Sequence, residues 1–324
     1  MSPRARVWIV VGLAAALAAA AAVGIVVAAR ETTDAAEPTP RKGAPLLLLD
    51  TGLRNDAATR ALREASRLYS RGRRAEAGRI FVRQDSLNAE IGAAFSAWPD
   101  GTLQRIANLV EAHPRSALAR LHLALALIWL GRNGDGVTAL REAERVEPDS
   151  PSAVRAGDLL HPRIAPGLPN FVPGFAAPKS VTSLPAEQQL PALARAARSP
   201  DPRAKLLYGV ALQRVERPVS AERQFAAAAA LAPRDPEAQV AAAVGRFDKD
   251  NPAAAFSRLG PLTRRFPRAP TVRFHLGLLL LWLNDVPEAR KQLRLARAQA
   301  PGTPLAREAN RFLVRLSSIG TKGR

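Results

Sequence analysis

The chain contains no cysteine among its 324 residues. Disulfide bridges, thiol nucleophiles and cysteine-ligated zinc or iron–sulfur centres are therefore excluded. Aromatic residues make up only 5% of the sequence, and histidine occurs four times. Phosphate-binding and dinucleotide-binding loops, HExxH and GxSxG motifs and calcium-binding loops are missing as well. These absences favour a protein that is not an enzyme and that uses no cofactor and no metal.

Acidic residues are few, since 28 Asp and Glu stand against 47 Lys and Arg, for a formal charge of +19. Such an excess indicates either an anionic partner, namely nucleic acid or a surface of lipid headgroups or acidic wall polymer, or an arginine-rich composition that places Arg on every solvated helix face, which is the preferred interpretation. The arginines are spread along the whole chain, and no basic motif interleaved with aromatics occurs. We therefore expect no nucleic-acid site. Binding to an anionic surface is kept as the alternative function.

The first thirty residues predict a membrane segment. Residues 7–29 carry no charge, and a helix of that length spans a bilayer of roughly 30 Å. Arg4 and Arg6 precede it, which predicts a cytoplasmic tail at residues 1–6 and an extracytoplasmic remainder. The prediction is a single-pass signal anchor in the cytoplasmic membrane, with a cleaved signal peptide as the alternative. Residues 30–57 then form a spacer in the cell envelope, and its short apolar run, Leu46 to Leu49, is expected to cap the first helices.

Prolines recur along the chain on a spacing of 34 residues. Pro114 and Pro148 are separated by this interval, and so are Pro233, Pro267 and Pro301 in succession. A period of this length predicts stacked helical hairpins. Small or apolar residues share repeat positions 7, 8, 20, 24 and 27 in four segments. These segments are 117–150, 202–235, 236–269 and 270–303.

The pattern resembles the tetratricopeptide repeat (TPR) family. The matching residues are Leu123, Ala124, Leu127, Gly136, Leu140, Ala143 and Pro148 in one repeat, Tyr208, Gly209, Leu212, Ala221, Phe225, Ala228 and Pro233 in another, and Leu276, Gly277, Leu280, Ala289, Leu293, Ala296 and Pro301 in the last. Segment 236–269 is weaker because Arg246 stands at an apolar position. The resemblance implies an all-α solenoid of antiparallel helix pairs that serves as a scaffold or adaptor for protein partners. Repeat positions 8 and 20 are expected to be small because the two helices of a pair cross there.

A second regularity indicates that the array is duplicated. Residues 102–160 match residues 255–313 at a constant offset of 153. Together with weaker helical patterns upstream, this match predicts two blocks. The predicted domains after the spacer are a first block at 58–160, a proline-rich connector with a short helix at 161–201, a second block with a capping helix at 202–316, and a basic tail at 317–324.

The candidate site follows from the resemblance. In TPR arrays the first helix of each pair lines a concave groove, and basic and Asn residues clamp a peptide carboxylate in some members. Those clamp residues are missing here, so an apolar helix or segment of a protein, bound by helix-in-groove contacts, is the implied partner, and no small-molecule substrate is indicated. The implied groove residues are Leu121, His122, Leu125, Trp129, Phe274, His275, Leu278 and Trp282.

Two alternatives bear on this groove. His122 and His275 are equivalent by the duplication, which is compatible with a shared site and also with ordinary packing. The proline-rich connector provides a second alternative, because Phe171 and Phe175 could anchor it in the groove. In that case the groove residues belong to the core and are not a free binding surface.

Overall fold

The computed structural model describes residues 40–320, with side chains as far as residue 317. All regular secondary structure within this range is α-helical. By their internal contacts the residues form two compact units, which divide between Gly167 and Leu168. Each unit is described by itself.

The first unit consists of an extended segment followed by helices joined through short turns. Residues 40–56 have no helix. The helices of this unit are α1 (Ala57–Ser70), α2 (Arg74–Phe81), α3 (Leu87–Ser96), α4 (Thr102–Ala112), α5 (Ala117–Trp129), α6 (Asn133–Val146) and α7 (Pro151–Leu160).

The second unit repeats this plan with one addition. Residues 168–178 have no helix, and two extra helices then precede the array. The helices are α8 (Lys179–Thr182), α9 (Ala186–Ala196), α10 (Pro202–Arg214), α11 (Pro218–Leu231), α12 (Pro236–Gly245), α13 (Ala253–Leu259), α14 (Leu262–Arg265), α15 (Pro270–Trp282), α16 (Val286–Gln299) and α17 (Pro304–Gly320).

The helices begin and end where the 34-residue pattern predicts. All four predicted repeats start on the first residue of a helix, namely α5, α10, α12 and α15. Capping side chains fix several of these starts, since Asp201 and Asp235 each accept a hydrogen bond from an N–H in the first turn of the helix that follows. Pro233 and Pro301 lie two residues beyond a helix end, where a residue without an N–H cannot extend the helix.

Packing within each unit is between near neighbours in the chain. In the first unit α5 packs on α6 and α6 on α7, and in the second α15 packs on α16 and α16 on α17. Helices that pack along their length across a turn of a few residues run antiparallel. Because each hairpin contacts the preceding and the following one, the architecture is a TPR-like helical array in both units.

The small residues predicted at the helix crossings are buried there. Gly209 on α10 faces Phe225 on α11, and a Cβ atom at position 209 would overlap the phenyl ring. Ala221 on α11, at the second predicted crossing position, is 1% exposed. The crossing therefore depends on a residue without a side chain opposite a fully buried aromatic ring.

The weak repeat at 236–269 is also irregular in the structure. Its second helix is broken into α13 and α14 at Gly260 and Pro261, where the missing proline N–H interrupts the helical hydrogen bonds. Arg246, which stands at an apolar repeat position, lies just beyond the end of α12 and pairs with Glu222 at 3.2 Å. The charged side chain is thus accommodated outside the hairpin core.

The predicted location in the cytoplasmic membrane is contradicted by the structure. Among residues 40–320 no helix is long and apolar enough to cross a bilayer, and the longest, α17, has 17 residues. Residues 7–29, on which the prediction of a signal anchor was based, lie outside the described residues, as do the predicted tail at 1–6 and residues 321–324 of the predicted basic tail, whereas residues 317–320 belong to α17.

Candidate functional site: two filled grooves

Each unit has a groove lined by the first helices of its hairpins. In the first unit these are α1, α3 and α5, and we call the surface they form groove 1. In the second unit they are α10, α12 and α15, which form groove 2. In both grooves an extended segment of the same chain is already bound. We call residues 40–50 strap 1 and residues 168–174 strap 2.

Strap 1 lies in the predicted spacer at 30–57, which includes the apolar run that is expected to cap the first helices. Leu46, Leu47, Leu48 and Leu49 pack against the buried core of the first unit, which contains Leu121 and Leu125. Four consecutive leucines are costly to leave in water, since burying each contributes about 2 kcal/mol. The apolar run therefore folds back onto the array.

Hydrogen bonds hold the main chain of strap 1 at intervals along its length. Arg41 donates its N–H to the carbonyl of Trp129 at the end of α5, at 2.7 Å. The hydroxyl of Tyr69 on α1 donates to the carbonyl of Pro45 at 2.6 Å. The indole N–H of Trp98, just beyond α3, donates to the carbonyl of Gly43 at 3.0 Å. Strap 1 thus contacts the end of each helix that lines groove 1.

His122 is the buried polar group at the centre of groove 1. Its Nδ1 lies 2.8 Å from the carbonyl oxygen of Leu118, one turn earlier on α5, and its Nε2 lies 3.2 Å from the amide nitrogen of Leu48. Because Nε2 accepts from an N–H, the ring proton must be on Nδ1. Burial lowers the pKa of His122 to about 4, although the hydrogen bond to Leu118 opposes this shift. The ring is therefore neutral at pH 7.

Asn88, the second residue of α3, binds strap 1 two residues further on. Its side-chain oxygen accepts the N–H of Asp50 at 2.9 Å, and its side-chain nitrogen donates to the carbonyl of Asp50 at 2.8 Å. In an extended segment, N–H groups two residues apart point to the same side. His122 and Asn88 therefore accept hydrogen bonds from the main-chain N–H groups on one edge of strap 1.

Strap 2 is bound in the same way by groove 2. The N–H of Val172 donates to Nε2 of His275 at 2.9 Å, and Nδ1 of His275 lies 2.7 Å from the carbonyl of Thr271. The N–H of Gly174 donates to the carboxyl group of Glu237, at 3.1 Å to Oε1 and 3.2 Å to Oε2. These two amides are two residues apart, as are the amides of strap 1 that His122 and Asn88 bind. Glu237, the second residue of α12, takes the place that Asn88, the second residue of α3, has in groove 1.

Phe171 is the apolar anchor of strap 2. It is 1% exposed, its ring stacks on the ring of His275 with centroids 5.0 Å apart, and it meets Phe225 edge-on at 5.6 Å. On the opposite edge of the strap, the N–H of Phe171 donates to Oε1 of Gln213 on α10 at 3.0 Å. The connector is thus part of the core of the second unit, which was one of the two alternatives for the groove.

Burial shifts the pKa values of both titratable side chains that bind strap 2. The pKa of His275 is lowered to about 4 by burial, opposed by its hydrogen bond to Thr271. The pKa of Glu237 is raised to about 7, chiefly by burial, while the bond from Gly174 opposes the shift. Asp235 also raises it and Arg203 lowers it. Groove 1 has the uncharged Asn88 in place of Glu237, so only groove 2 contains an acid that titrates near neutrality.

The eight predicted groove residues divide between the two units. In groove 1, Leu121, His122, Leu125 and Trp129 are at most 8% exposed. In groove 2, Phe274, His275 and Leu278 are buried, whereas Trp282 is half-buried. Phe274 and Leu278 belong to a core cluster against which Val172 of strap 2 packs. Seven of the eight predicted residues are therefore buried, and Trp282 is partly open to solvent.

Sequence reasoning missed the polar partners of the straps. Asn88 and Glu237 gave no signal in the 34-residue pattern, because each binds the main chain of a segment that lies far away in sequence, whereas Gln213 stands at a repeat position expected to face the groove. Strap 1 did carry a signal, namely a proline followed by four leucines ahead of the first helix. No group of His, Asp or Glu residues that could hold a metal ion occurs among residues 40–320.

With the helical array and its grooves described, the chain can be compared with known proteins. No family model matches it, and no curated protein matches it. Among solved structures it is similar to YrrB, a TPR protein with an unusual peptide-binding site, at 16% identity over 64% of this chain and 99% of that one, with a TM-score of 0.31.

Two further structures are similar to a comparable degree. The Cut9–Hcn1 hetero-tetramer of the APC/C matches at 15% identity over 80% of this chain and 55% of that one, with a TM-score of 0.27. Yeast Tom70 matches at 12% identity over 86% and 68%, with a TM-score of 0.32. The antiparallel helix pairs of both units agree with the TPR resemblance predicted from the sequence. Similarities at this level of sequence identity and TM-score do not show the function of the chain.

Proposed function

We propose that this chain is a protein-interaction scaffold whose grooves bind an extended segment of polypeptide. One observation supports this above all others, namely that both grooves hold such a segment in the structure. The bound main chain meets buried side-chain acceptors, and its apolar side chains enter the core. Proteins that bind extended peptides use the same two kinds of contact. Hydrogen bonds to the peptide main chain provide affinity, and pockets for the side chains provide specificity.

The straps set the conditions under which a partner binds. Because a strap is part of the same chain, it competes with an external peptide at an effective concentration on the order of millimolar. The apparent affinity for a partner falls by the fraction of molecules whose groove is open. We therefore expect weak binding to the intact chain and much stronger binding once a strap is loosened. Under this proposal Leu121, His122, Leu125 and Trp129 contact the partner in groove 1, and Phe274, His275, Leu278 and Trp282 do so in groove 2.

The test uses the full chain with strap 2 disabled. Residues 169–173 are replaced by glycine and serine, and phage-displayed peptides of twelve residues are selected against the immobilised variant. The wild-type chain, with its groove filled, is the matched control. We expect peptides that bind the variant at least tenfold more tightly than the wild type, because only the variant offers an empty groove.

A milder variant guards against loss of folding. Val172→Pro keeps the other side chains of strap 2 but removes the N–H that His275 accepts. Circular dichroism confirms that a variant retains its helices before selection begins. If neither variant enriches any peptide, or if the enriched peptides bind wild type and variants equally, the proposed function is wrong.

A further inference from the structure

The two straps share one register although their sequences differ. When Leu48 and Val172, whose amides bind the histidines, are superimposed in sequence, Pro45 falls on Pro169. Both prolines are buried. The amides two residues after the histidine-bound position are bound in both straps by the second residue of a helix, α3 or α12. Three points of contact therefore coincide.

This register is not a simple copy of the duplicated array. The histidines are 153 positions apart, whereas the residues that bind them, Leu48 and Val172, are only 124 apart. The difference corresponds to the additional segment with α8 and α9 that precedes the array in the second unit. Apart from the proline, the two six-residue stretches, 45–50 and 169–174, have no residue in common. The groove, more than the ancestry of the strap, accounts for the shared register.

The position before the histidine-bound residue takes a large apolar side chain. In groove 2 this is Phe171, which fills the space between His275 and Phe225. In strap 1 it is Leu47, which packs on the core of the first unit. The residue before that position is exposed in strap 2, where it is Asn170. Groove 2 therefore has no requirement at Asn170 and a strong one at Phe171, whereas in groove 1 the residue that matches Asn170, Leu46, packs against the core.

The last position distinguishes the two grooves. A Cβ atom on Gly174 would lie 2.5 Å from Oε1 of Glu237, so any larger residue at this position requires the carboxyl group to move away from the amide that it binds. Strap 1 has Asp50 at the matching position, opposite the carboxamide of Asn88. An aspartate in groove 2 would place one carboxylate against another. Groove 2 should thus select glycine where groove 1 accepts an acidic residue.

From these four points we infer the class of partner. The grooves recognise an extended segment of six residues. It begins with proline, has a large apolar residue at the third position and an aliphatic residue at the fourth, and accepts any residue at the second and fifth positions. The N–H of the sixth residue is bound by the groove. In groove 2 the final residue is glycine. The straps are built-in copies of this ligand. This inference rests on the proposed function and narrows it from extended peptides in general to peptides with this pattern.

The experiment titrates synthetic peptides into the full chain with residues 169–173 replaced, and into Val172→Pro as a second background. The parent peptide is a fluorescein-labelled copy of residues 166–177, and binding is followed by anisotropy. Replacing Phe171 of the peptide by alanine should weaken binding more than tenfold, since a buried aromatic anchor is lost. Methylating the amide nitrogen of Val172 should weaken it about tenfold, because the buried Nε2 of His275 then loses its donor. Asn170→Ala is the matched control and should change the affinity less than twofold.

A cross-recognition arm tests the register directly. A peptide copied from residues 42–53 presents Asp50 to Glu237 and should bind groove 2 at least tenfold more weakly than the same peptide with Asp50→Gly. Hydrogen exchange on the wild-type chain gives a measurement that needs no variant. Excess parent peptide should accelerate exchange of the amides of Val172 and Gly174, as the strap is displaced.

The outcomes separate the inference from the function on which it rests. Peptides selected by phage display that bind groove 2 without the pattern would refute the inference and leave the function standing. Equal binding of the parent, Phe171→Ala and N-methyl peptides would refute it as well. Should no peptide bind either background by selection or by titration, both proposals fall.

Discussion

Protonation of His275 is expected to release strap 2 in acid. In the structure the neutral ring accepts the N–H of Val172 at Nε2 and has its proton on Nδ1. A second proton can only go to Nε2, where it would face the donor on Val172 at 2.9 Å. The acceptor is lost and a charge is created in a side chain that is 1% exposed. Folding therefore opposes protonation of this ring.

The size of the effect follows from the two pKa values. The pKa of His275 is about 4 in the folded chain, whereas the ordinary value for a histidine, which applies in the unfolded chain, is 6.5. Because the folded value is the lower one, the unfolded chain binds the proton first, and stability is lost as the pH falls from 6.5 towards 4. A shift of this size corresponds to about 3 kcal/mol. A loss of this size is a large part of the 5–15 kcal/mol that typically stabilises a domain.

The assay is urea unfolding followed by far-ultraviolet circular dichroism at several pH values between 7.5 and 4. We compare the wild type with His275→Gln, in which the amide oxygen can still accept the N–H of Val172 but cannot titrate. The wild type should lose about 3 kcal/mol more than the variant over this range. Differences between the two curves remove the contribution of carboxyl groups that titrate in both proteins.

His113→Gln is the matched control, because His113 is exposed and contacts neither strap. Its curve should run parallel to that of the wild type. If His275→Gln also runs parallel to the wild type, the ring does not change its proton affinity on folding, and the reasoning from burial and hydrogen bonding is wrong.

Three further predictions concern single side chains, each measured by urea unfolding. Glu237→Gln should stabilise the second unit at pH 8 and have little effect at pH 5. The pKa of Glu237 is about 7 in the folded chain against an ordinary value of 4.5, so its buried charge is present only above about pH 7. A variant that is stabilised at pH 5 and not at pH 8 would contradict this prediction. Phe171→Ala should cost about 3–5 kcal/mol, while Asn170→Ala, at an exposed position, should cost nothing measurable. Gly209→Ala should cost about 1–3 kcal/mol through overlap with Phe225, whereas Gly134→Ala, which has open space around it, should not; equal costs would mean that the crossing is not tightly packed.

The hairpins could be predicted from the sequence because their determinants are local. Proline at a helix end, a small residue at a crossing and apolar residues three or four apart all act within one 34-residue repeat. Arg246 illustrates the limit of this reasoning. It breaks the pattern, but the division of the second helix at Gly260 comes from Pro261, a position to which the 34-residue pattern assigns no role.

The content of the grooves could be predicted only in part. Phe171 was recognised as a possible anchor because an aromatic residue in a proline-rich segment needs a place to be buried. Glu237 could not be recognised, since on its own helix it reads as an ordinary acidic residue of the first turn, where acidic residues are common. Its role arises from the amide of Gly174, 63 positions away. Contacts of this kind leave no periodic trace in a sequence.

Each strap precedes its receptor in the chain, and this order has a consequence for synthesis on the ribosome. The amide of Val172 is made 103 residues before the histidine that accepts it, which at 5–20 residues per second is an interval of roughly 5–20 s. During that interval an apolar stretch has no groove to enter and is open to chaperones or to neighbouring nascent chains. Chains arrested before residue 270 should therefore show rapid hydrogen exchange throughout residues 168–174, and slow exchange there would mean that the earlier hairpins suffice. In each molecule, strap 2 would thus bind groove 2 only near the end of synthesis.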